Sequence, residues 1–180
     1  MLLTLVKVAA PLFAIVALLV VNRVRRLPAD FLGLQKPRLS VFLGWMVAWI
    51  AWVAVSEVIG RAVGQEPPRP WHYPAVVTAL RILAIGIIGP IAEELVFRGV
   101  ALYVLWRRLA LPAWLAVLIS AALWAVIHTQ YDPITIAFIV ADGIILGAAR
   151  LHSKSTFTPI AMHVFGNFFS IYESLYGVPF

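Results

Sequence analysis

The chain has 180 residues, of which 63% are hydrophobic and only 12% are charged, and its mean hydropathy is +0.96. This composition excludes an ordinary soluble domain and is typical of a protein with several membrane-spanning helices. The absence of cysteine excludes disulfides, thiolate metal sites and a cysteine nucleophile. The net charge of +6 would suit a nucleic acid, but the basic residues collect in short loops between apolar segments. We therefore expect the lipid bilayer as a partner and no nucleic acid.

Six apolar segments follow one another along the chain, and a span needs ~20 residues. They cover about residues 2–21, 39–59, 75–106, 111–128, 133–149 and 157–175. The first is too long for a signal peptide and is followed at once by Arg23, Arg25 and Arg26, which predicts a retained span. Pro67, Pro68 and Pro70 exclude a helix within the linker at residues 65–74. The pattern predicts an all-α fold, a polytopic membrane helix bundle of about six transmembrane helices with a buried polar site.

The basic residues indicate an orientation. The loops after the first, third and fifth spans carry Arg23, Arg25, Arg26, Lys36, Arg38, Arg107, Arg108, Arg150 and Lys154. The loops on the opposite side carry only Arg61 and Arg69. Because cytoplasmic loops are enriched in lysine and arginine, we expect both termini to lie outside the cytoplasm.

The third span contains Glu93, Glu94 and Arg98 within an otherwise apolar run. A charged residue at bilayer depth costs at least ~2.5–3.5 kcal/mol, so it is rarely kept without a partner or a function. Glu94 and Arg98 stand four residues apart and can pair along one helix face. Glu93 is turned by about 100° from Glu94 and remains available for another role. Pro90, just before the pair, predicts a kink.

Two later spans supply further polar groups. His128 follows Trp124 by one helical turn, and we expect the indole to pack over the imidazole and orient it. His163 and Asn167 share one face of the sixth span. Such groups can simply tie helices together, at ~0.6 kcal/mol per hydrogen bond. Together with Glu93 they also form a hydrolytic set: a carboxylate base, a group that orients water, and donors for an oxyanion.

A zinc site is an open alternative, because Glu93, His128 and His163 are a possible two-histidine, one-carboxylate set. No His-Glu-x-x-His motif favours it. The remaining polar residues of the last four spans have simpler expected roles. We expect Arg81 to reach toward the interface, Asp142 to pair with an arginine or a histidine, and Glu173 to be solvated near a helix end.

The three motifs together resemble the CAAX-processing and bacteriocin-immunity family of glutamic-type intramembrane proteases. Its signature of Glu-Glu-x-x-x-Arg, Phe-x-x-x-His and His-x-x-x-Asn appears in order, with Trp124 in place of phenylalanine. The resemblance covers about residues 75–175, which makes this part a catalytic four-helix core and residues 1–60 two accessory spans of one membrane domain, residues 1–180. It implies Glu93 as the base, His128 as its assistant, His163 and Asn167 as the oxyanion hole, and supporting roles for Glu94, Arg98 and Trp124.

The resemblance also implies an endopeptidase without a cofactor, acting on a membrane-anchored protein or peptide near its C-terminal segment. The compact chain resembles the prokaryotic branch, which implies the cell (inner) membrane. Two other functions stay open: a non-catalytic membrane scaffold or immunity protein of the same fold, and a proton relay or transporter, since buried glutamate and histidine serve relays as well.

Overall fold

The computed structural model describes residues 2–66 and 68–177, and this part of the chain is helical without a strand. The helices are α1 Leu2–Val24, α2 Ala29–Leu32, α3 Leu39–Ala62, α4 Ala75–Arg108, α5 Ala113–Val126, α6 Pro133–Ser153 and α7 Phe157–Tyr176. The predicted all-α membrane bundle is confirmed. Residues 65–66 and 68–74 are not helical, as the prolines predict, whereas Pro67 lies outside the described residues.

All six predicted segments are helices, but their suitability for crossing a membrane differs. Among the described residues, α3, α4, α6 and the part of α1 from Thr4 onward are long and apolar enough to do so. Helix α5 has 14 residues, or about 21 Å of length, short of a ~30 Å hydrocarbon core. Helix α7 has 20 residues but is not among the helices apolar enough to cross a membrane, because polar side chains such as His163 and Asn167 lower its hydropathy.

Helix α4 is continuous from end to end, but its backbone widens into π-helical turns at Ala84–Ile88, Leu95–Ala101 and Val104–Arg108. The first of these precedes Pro90, whose ring crowds the preceding turn and which has no N–H to donate. The backbone N–H of Gly89 donates to the carbonyl of Ala84, five residues back. The predicted kink at Pro90 therefore takes the form of a local π turn, one of the usual causes of an irregular helix.

The last helices pack closely because small residues face one another. A Cβ added to Gly143 would lie 2.8 Å from Cβ of Ala121, and one added to Gly147 would lie 2.8 Å from a methyl of Val117. This small-x-x-x-small pattern lets the backbones of α5 and α6 approach, as is common in membrane helix pairs. Helix α6 begins at a capped end, where Asp132 Oδ1 accepts from the backbone N–H of Ile134 at 2.9 Å.

Helix α4 is at the centre of the bundle, with α1, α5 and α7 packed against it and α3 packed against α6 and α7. A core of buried apolar side chains joins α3, α5, α6 and α7. Its members are Trp49, Trp124, Leu146, Ala149 and Met162. Both N-terminal spans thus contact the helices that carry the motifs.

At the end of the bundle near the proline-rich linker, one prediction is wrong. Glu173 was expected to be solvated, but it is only 5% exposed. Its carboxyl group interacts with Glu57 and Arg61 of α3, and the linker contacts the next residue through a hydrogen bond from Trp71 N to Ser174 O of 2.8 Å. The guanidinium of Arg81 lies 4.7 Å from the ring centre of Trp71 and 4.5 Å from that of Tyr73. Arg81 thus makes cation–π contacts with the linker, and its predicted reach toward the membrane interface stays a prediction.

Candidate active site

Glu94 is fully enclosed and its charge is matched by neighbouring donors. Its side chain is 0% exposed, and Oε1 accepts from Arg98 Nη1 at 3.0 Å and lies 2.9 Å from His163 Nδ1. Arg98 also donates from Nη2 to the carbonyl of Gly143 at 3.3 Å. The predicted pair of Glu94 and Arg98 is confirmed. The histidine and the carbonyl supply some of the partners that a buried ion pair needs, whereas Glu94 Oε2 and Arg98 Nε have no hydrogen-bond partner in the described part of the chain.

Glu93 has different surroundings, although it is the adjacent residue. Its side chain is 30% exposed, and Oε2 lies 4.0 Å from His163 Nε2. The indole N–H of Trp124 donates to the same Oε2 at 2.7 Å. Oε1 has no hydrogen-bond partner among residues 2–66 and 68–177. One oxygen of Glu93 is therefore held by the protein and the other is open to a water molecule.

Trp124 contacts the other motif residues with its ring. Its ring centre lies 5.2 Å from that of His128 and 5.2 Å from that of His163, edge to face in both cases. The guanidinium of Arg98 lies 4.4 Å from the indole centre. The predicted contact of Trp124 with His128 is confirmed. Its hydrogen bond to Glu93 was not predicted, although an indole that is buried usually needs an acceptor for its N–H.

His128 follows helix α5 rather than lying on it, because the helix ends at Val126 and residues 127–130 form a turn. The predicted span to residue 128 was thus slightly too long. Nδ1 of His128 lies 2.8 Å from the carbonyl oxygen of Trp124. A carbonyl only accepts, so we assign the proton to Nδ1, and in the neutral ring Nε2 is then an acceptor. Within the described part of the chain, no hydrogen bond joins His128 directly to Glu93.

Asn167 lies one turn after His163 on α7, and its side chain reaches the irregular part of α4. Its Nδ2 donates to the carbonyl of Ile85 at 2.8 Å. Gly89 donates to Ala84 instead, and Pro90 has no N–H, so neither of these residues serves that carbonyl. The π turn thus leaves the Ile85 carbonyl without a backbone donor from Gly89 or Pro90, and Asn167 supplies the donor. The amide of Asn167 keeps one further N–H.

Asp142 of α6 has a partner that the sequence did not indicate. We expected an arginine or a histidine, but Oδ1 accepts from the indole N–H of Trp52 at 2.6 Å. Trp52 belongs to α3, where Trp49 also packs, with its ring 3.3 Å from the position of a Cβ on Gly166. The spacing of Trp45, Trp49 and Trp52 places the three on one helix face, and this is the signal that links α3 to the site.

The grouping of histidine, aspartate and glutamate side chains bears on a metal site. Among the residues that the structure describes, no three histidine, aspartate or glutamate side chains are grouped so that they could hold one metal ion. This grouping gives no support to the zinc set of Glu93, His128 and His163 considered above. Nδ1 of His128 faces a carbonyl and Nδ1 of His163 faces a carboxylate, so Nε2 is the available nitrogen of each ring.

Comparison with known proteins finds relatives of this chain. Residues 75–169 match the family model described as type II CAAX prenyl endopeptidase Rce1-like, and this range includes every motif residue from Glu93 to Asn167. The chain is 31% identical over 135 residues to an uncharacterized 24.3 kDa protein of Escherichia coli, a match to 69% of this chain and 61% of that protein. It is 26% identical over 137 residues to the membrane-embedded CAAX protease MroQ of Staphylococcus aureus (strain USA300), a match to 72% of this chain and 55% of that protein. The matches thus span less than two thirds of either relative's length. No solved structure matches.

Proposed function

The chain belongs to the Rce1-like family of type II CAAX prenyl endopeptidases, and we propose that it is an intramembrane endopeptidase that uses Glu93 to activate water. One observation carries this assignment. Glu94 is fully buried and bound to Arg98 and His163, whereas Glu93 is partly exposed and keeps a free oxygen. A positioned carboxylate with a free oxygen, next to an imidazole, is what general base catalysis requires.

The proposed reaction is hydrolysis of a peptide bond near the membrane-anchored C-terminal segment of a substrate. Oε1 of Glu93 takes a proton from water, and the water oxygen attacks the carbonyl carbon of the scissile bond. The tetrahedral intermediate then collapses, and the C–N bond breaks as the proton passes from Glu93 to the leaving amine. Trp124 holds Oε2 throughout through its 2.7 Å hydrogen bond, so the carboxylate keeps its orientation while it gains and loses the proton.

His128 and His163 have separate proposed roles. Nε2 of His128 accepts from the second hydrogen of the attacking water, since Nδ1 is directed at the Trp124 carbonyl. His163, whose Nε2 lies 4.0 Å from Glu93 Oε2, donates from Nε2 to the developing oxyanion when its ring carries both protons. The remaining N–H of Asn167 is the second oxyanion donor, a role worth about 10²–10³ in kcat elsewhere.

The protein is an integral membrane protein with helices long and apolar enough to span. We further propose that it lies in a prokaryotic inner membrane with both termini outside the cytoplasm, as the basic loops indicate. In that orientation, the turn that bears His128 faces outward, which suits a substrate with a C-terminal sorting helix presented from outside. We also propose that catalysis needs no metal ion, because the base and the oxyanion donors are all side chains.

The test is cleavage of membrane-anchored reporters by the purified chain in proteoliposomes. One reporter ends in a C-terminal hydrophobic helix and the other in a prenylated CAAX sequence. We expect Glu93→Gln to lower kcat by at least about 10²-fold, since general base catalysis contributes 10²–10⁴, without changing the melting temperature in detergent. Glu57→Gln is the matched control, because Glu57 lies on α3 with its side chain 32% exposed beside Arg61. If wild-type protein cleaves a reporter and Glu93→Gln cleaves it equally fast, the proposed base is wrong.

A further inference from the structure

A cavity lined by several basic side chains lies at the end of α4 near Arg107, where that helix and α6 both end. Its volume is about 240 Å³, and its lining includes Asp30, Gln35, Trp106, Arg107, Arg150 and Lys154. Arg107 follows Glu93 by fourteen residues, or about 21 Å along the helix. An adjoining crevice reaches Arg98 but has a volume of only about 10 Å³, room for about one water molecule. The cavity is therefore separate from the proposed catalytic site.

The cavity is lined by basic side chains, and only some of their donors bind other parts of the protein. Arg107 Nε donates to Asp30 Oδ2 at 3.2 Å, and Arg150 Nη2 donates to the backbone carbonyl of Asp30 at 2.9 Å. These bonds attach the segment around α2 to α4 and α6. Three cations against one carboxylate leave the lining with a net charge of +2. Such a field attracts anions.

Several donors at the cavity have no partner in the described part of the chain. Both Nη groups of Arg107 are free, as is the exposed ammonium of Lys154. The guanidinium carbon of Arg107 lies over the ring of Trp106, 3.9 Å from the ring centre. Arg150 is only 6% exposed, and its buried Nε has no hydrogen-bond partner. A buried donor that remains unpaired is costly, which points to a ligand rich in acceptors.

A phosphate group fits these donors best. Guanidinium groups match the spacing of phosphate oxygens and can bind them in a bidentate manner, and an ammonium adds a third charge. The cavity lies where α4 and α6, two helices suited to span the membrane, reach their ends at Arg108 and Ser153. That is the depth of lipid headgroups, and basic pockets between helices are typical headgroup sites. The volume is below the 300–1,000 Å³ of pockets for drug-sized ligands, which suits a small headgroup.

We propose that this cavity binds a phosphate group, presented by the headgroup of an anionic phospholipid, through Arg107, Arg150 and Lys154. The site is independent of proteolysis, so it can be tested without a substrate. The full chain in detergent is titrated with phosphatidylglycerol or with phosphatidylcholine, and bound lipids are counted by native mass spectrometry. We expect wild-type protein to retain one phosphatidylglycerol in preference to phosphatidylcholine, whose choline cation the basic lining disfavours.

The variants remove charges that are exposed, so that folding is not at risk. Lys154→Gln and Arg107→Gln should each weaken phosphatidylglycerol binding about fivefold, and the double variant about 25-fold, from the usual contribution of one basic residue near an anionic lipid. Arg108→Gln is the matched control. Arg108 is the next residue along α4, but its guanidinium faces Tyr103 at 5.9 Å and it does not line the cavity, so binding should stay within about twofold.

Competition with inorganic phosphate distinguishes a phospholipid headgroup from soluble phosphate as the ligand. If millimolar phosphate leaves the bound phosphatidylglycerol in place, the lipid is the ligand, as proposed. If phosphate displaces it and binds wild-type protein more tightly than Arg107→Gln, the cavity is a site for soluble phosphate and the lipid assignment is overturned. Equal retention of both lipids by wild type and by all variants would overturn the site itself.

Discussion

The hydrogen bond from Trp124 to Glu93 leads to the most specific prediction. Trp124→Phe removes the indole N–H, which donates to Glu93 Oε2 at 2.7 Å, and keeps an aromatic ring between His128 and His163. A hydrogen bond to a charged group is worth about 1.5–3 kcal/mol. If that bond orients the carboxylate in the transition state, its loss should lower kcat about 10- to 150-fold, since 1.36 kcal/mol corresponds to a factor of ten.

The assay is cleavage of a reporter in proteoliposomes, with kcat and KM determined separately. We expect kcat to fall while KM changes by less than about threefold, because a group that acts only in the transition state leaves substrate binding unchanged. Trp45→Phe is the matched control. It removes an exposed indole hydrogen bond, from Trp45 Nε1 to His152 Nδ1 at 3.1 Å, that does not involve either glutamate. Wild-type kcat in Trp124→Phe, or an equal loss in Trp45→Phe, would refute the reasoning.

Two further predictions follow from buried contacts, and a third concerns metal ions. Arg98→Ala should lower the free energy of unfolding by ~3–5 kcal/mol, because Glu94 keeps a buried charge without its cation; the double change Glu94→Gln with Arg98→Met should restore part of it in detergent melting, and no recovery would contradict the pairing. Asn167→Ala should lower stability by about 1–3 kcal/mol, because the Ile85 carbonyl loses its donor, and should also lower kcat about 10²–10³-fold; unchanged melting and kcat would contradict both roles. Chelators should leave the rate of wild-type protein unchanged and elemental analysis should find no stoichiometric metal, whereas restoration of a lost rate by zinc would contradict a metal-free reaction.

The sequence predicts best what is local along the helices. The pair of Glu94 with Arg98 and the contact of Trp124 with His128 each join residues four apart, and helical spacing alone brings them together. That the three motifs meet around one site was predicted from their complementary chemistry and from the resemblance, since no spacing rule relates α4, α5 and α7.

What the sequence missed depends on tertiary packing. The bond from Trp124 to Glu93 joins residues 31 apart, and that from Asn167 to Ile85 requires a π turn that no residue pattern specifies. The expected solvation of Glu173 was wrong because this end of α7 packs close to Glu57 and Arg61 of α3. The division into accessory spans at 1–60 and a catalytic core at 75–175, and the orientation in the membrane, stay predictions.

The central claim is that the two adjacent glutamates have different tasks, and a paired measurement on Glu93→Gln and Glu94→Gln tests it most directly. For each variant, kcat in proteoliposomes and the melting temperature in detergent are measured side by side with wild type. The account predicts that Glu93→Gln loses kcat by at least about 10²-fold and melts as wild type does, because Glu93 is partly exposed and, in the described part of the chain, forms no salt bridge with an arginine or lysine. It predicts that Glu94→Gln melts at a lower temperature, since Arg98 and His163 lose their shared carboxylate, while its folded fraction still cleaves. The opposite pattern, with kcat lost only in a stably folded Glu94→Gln, would contradict it.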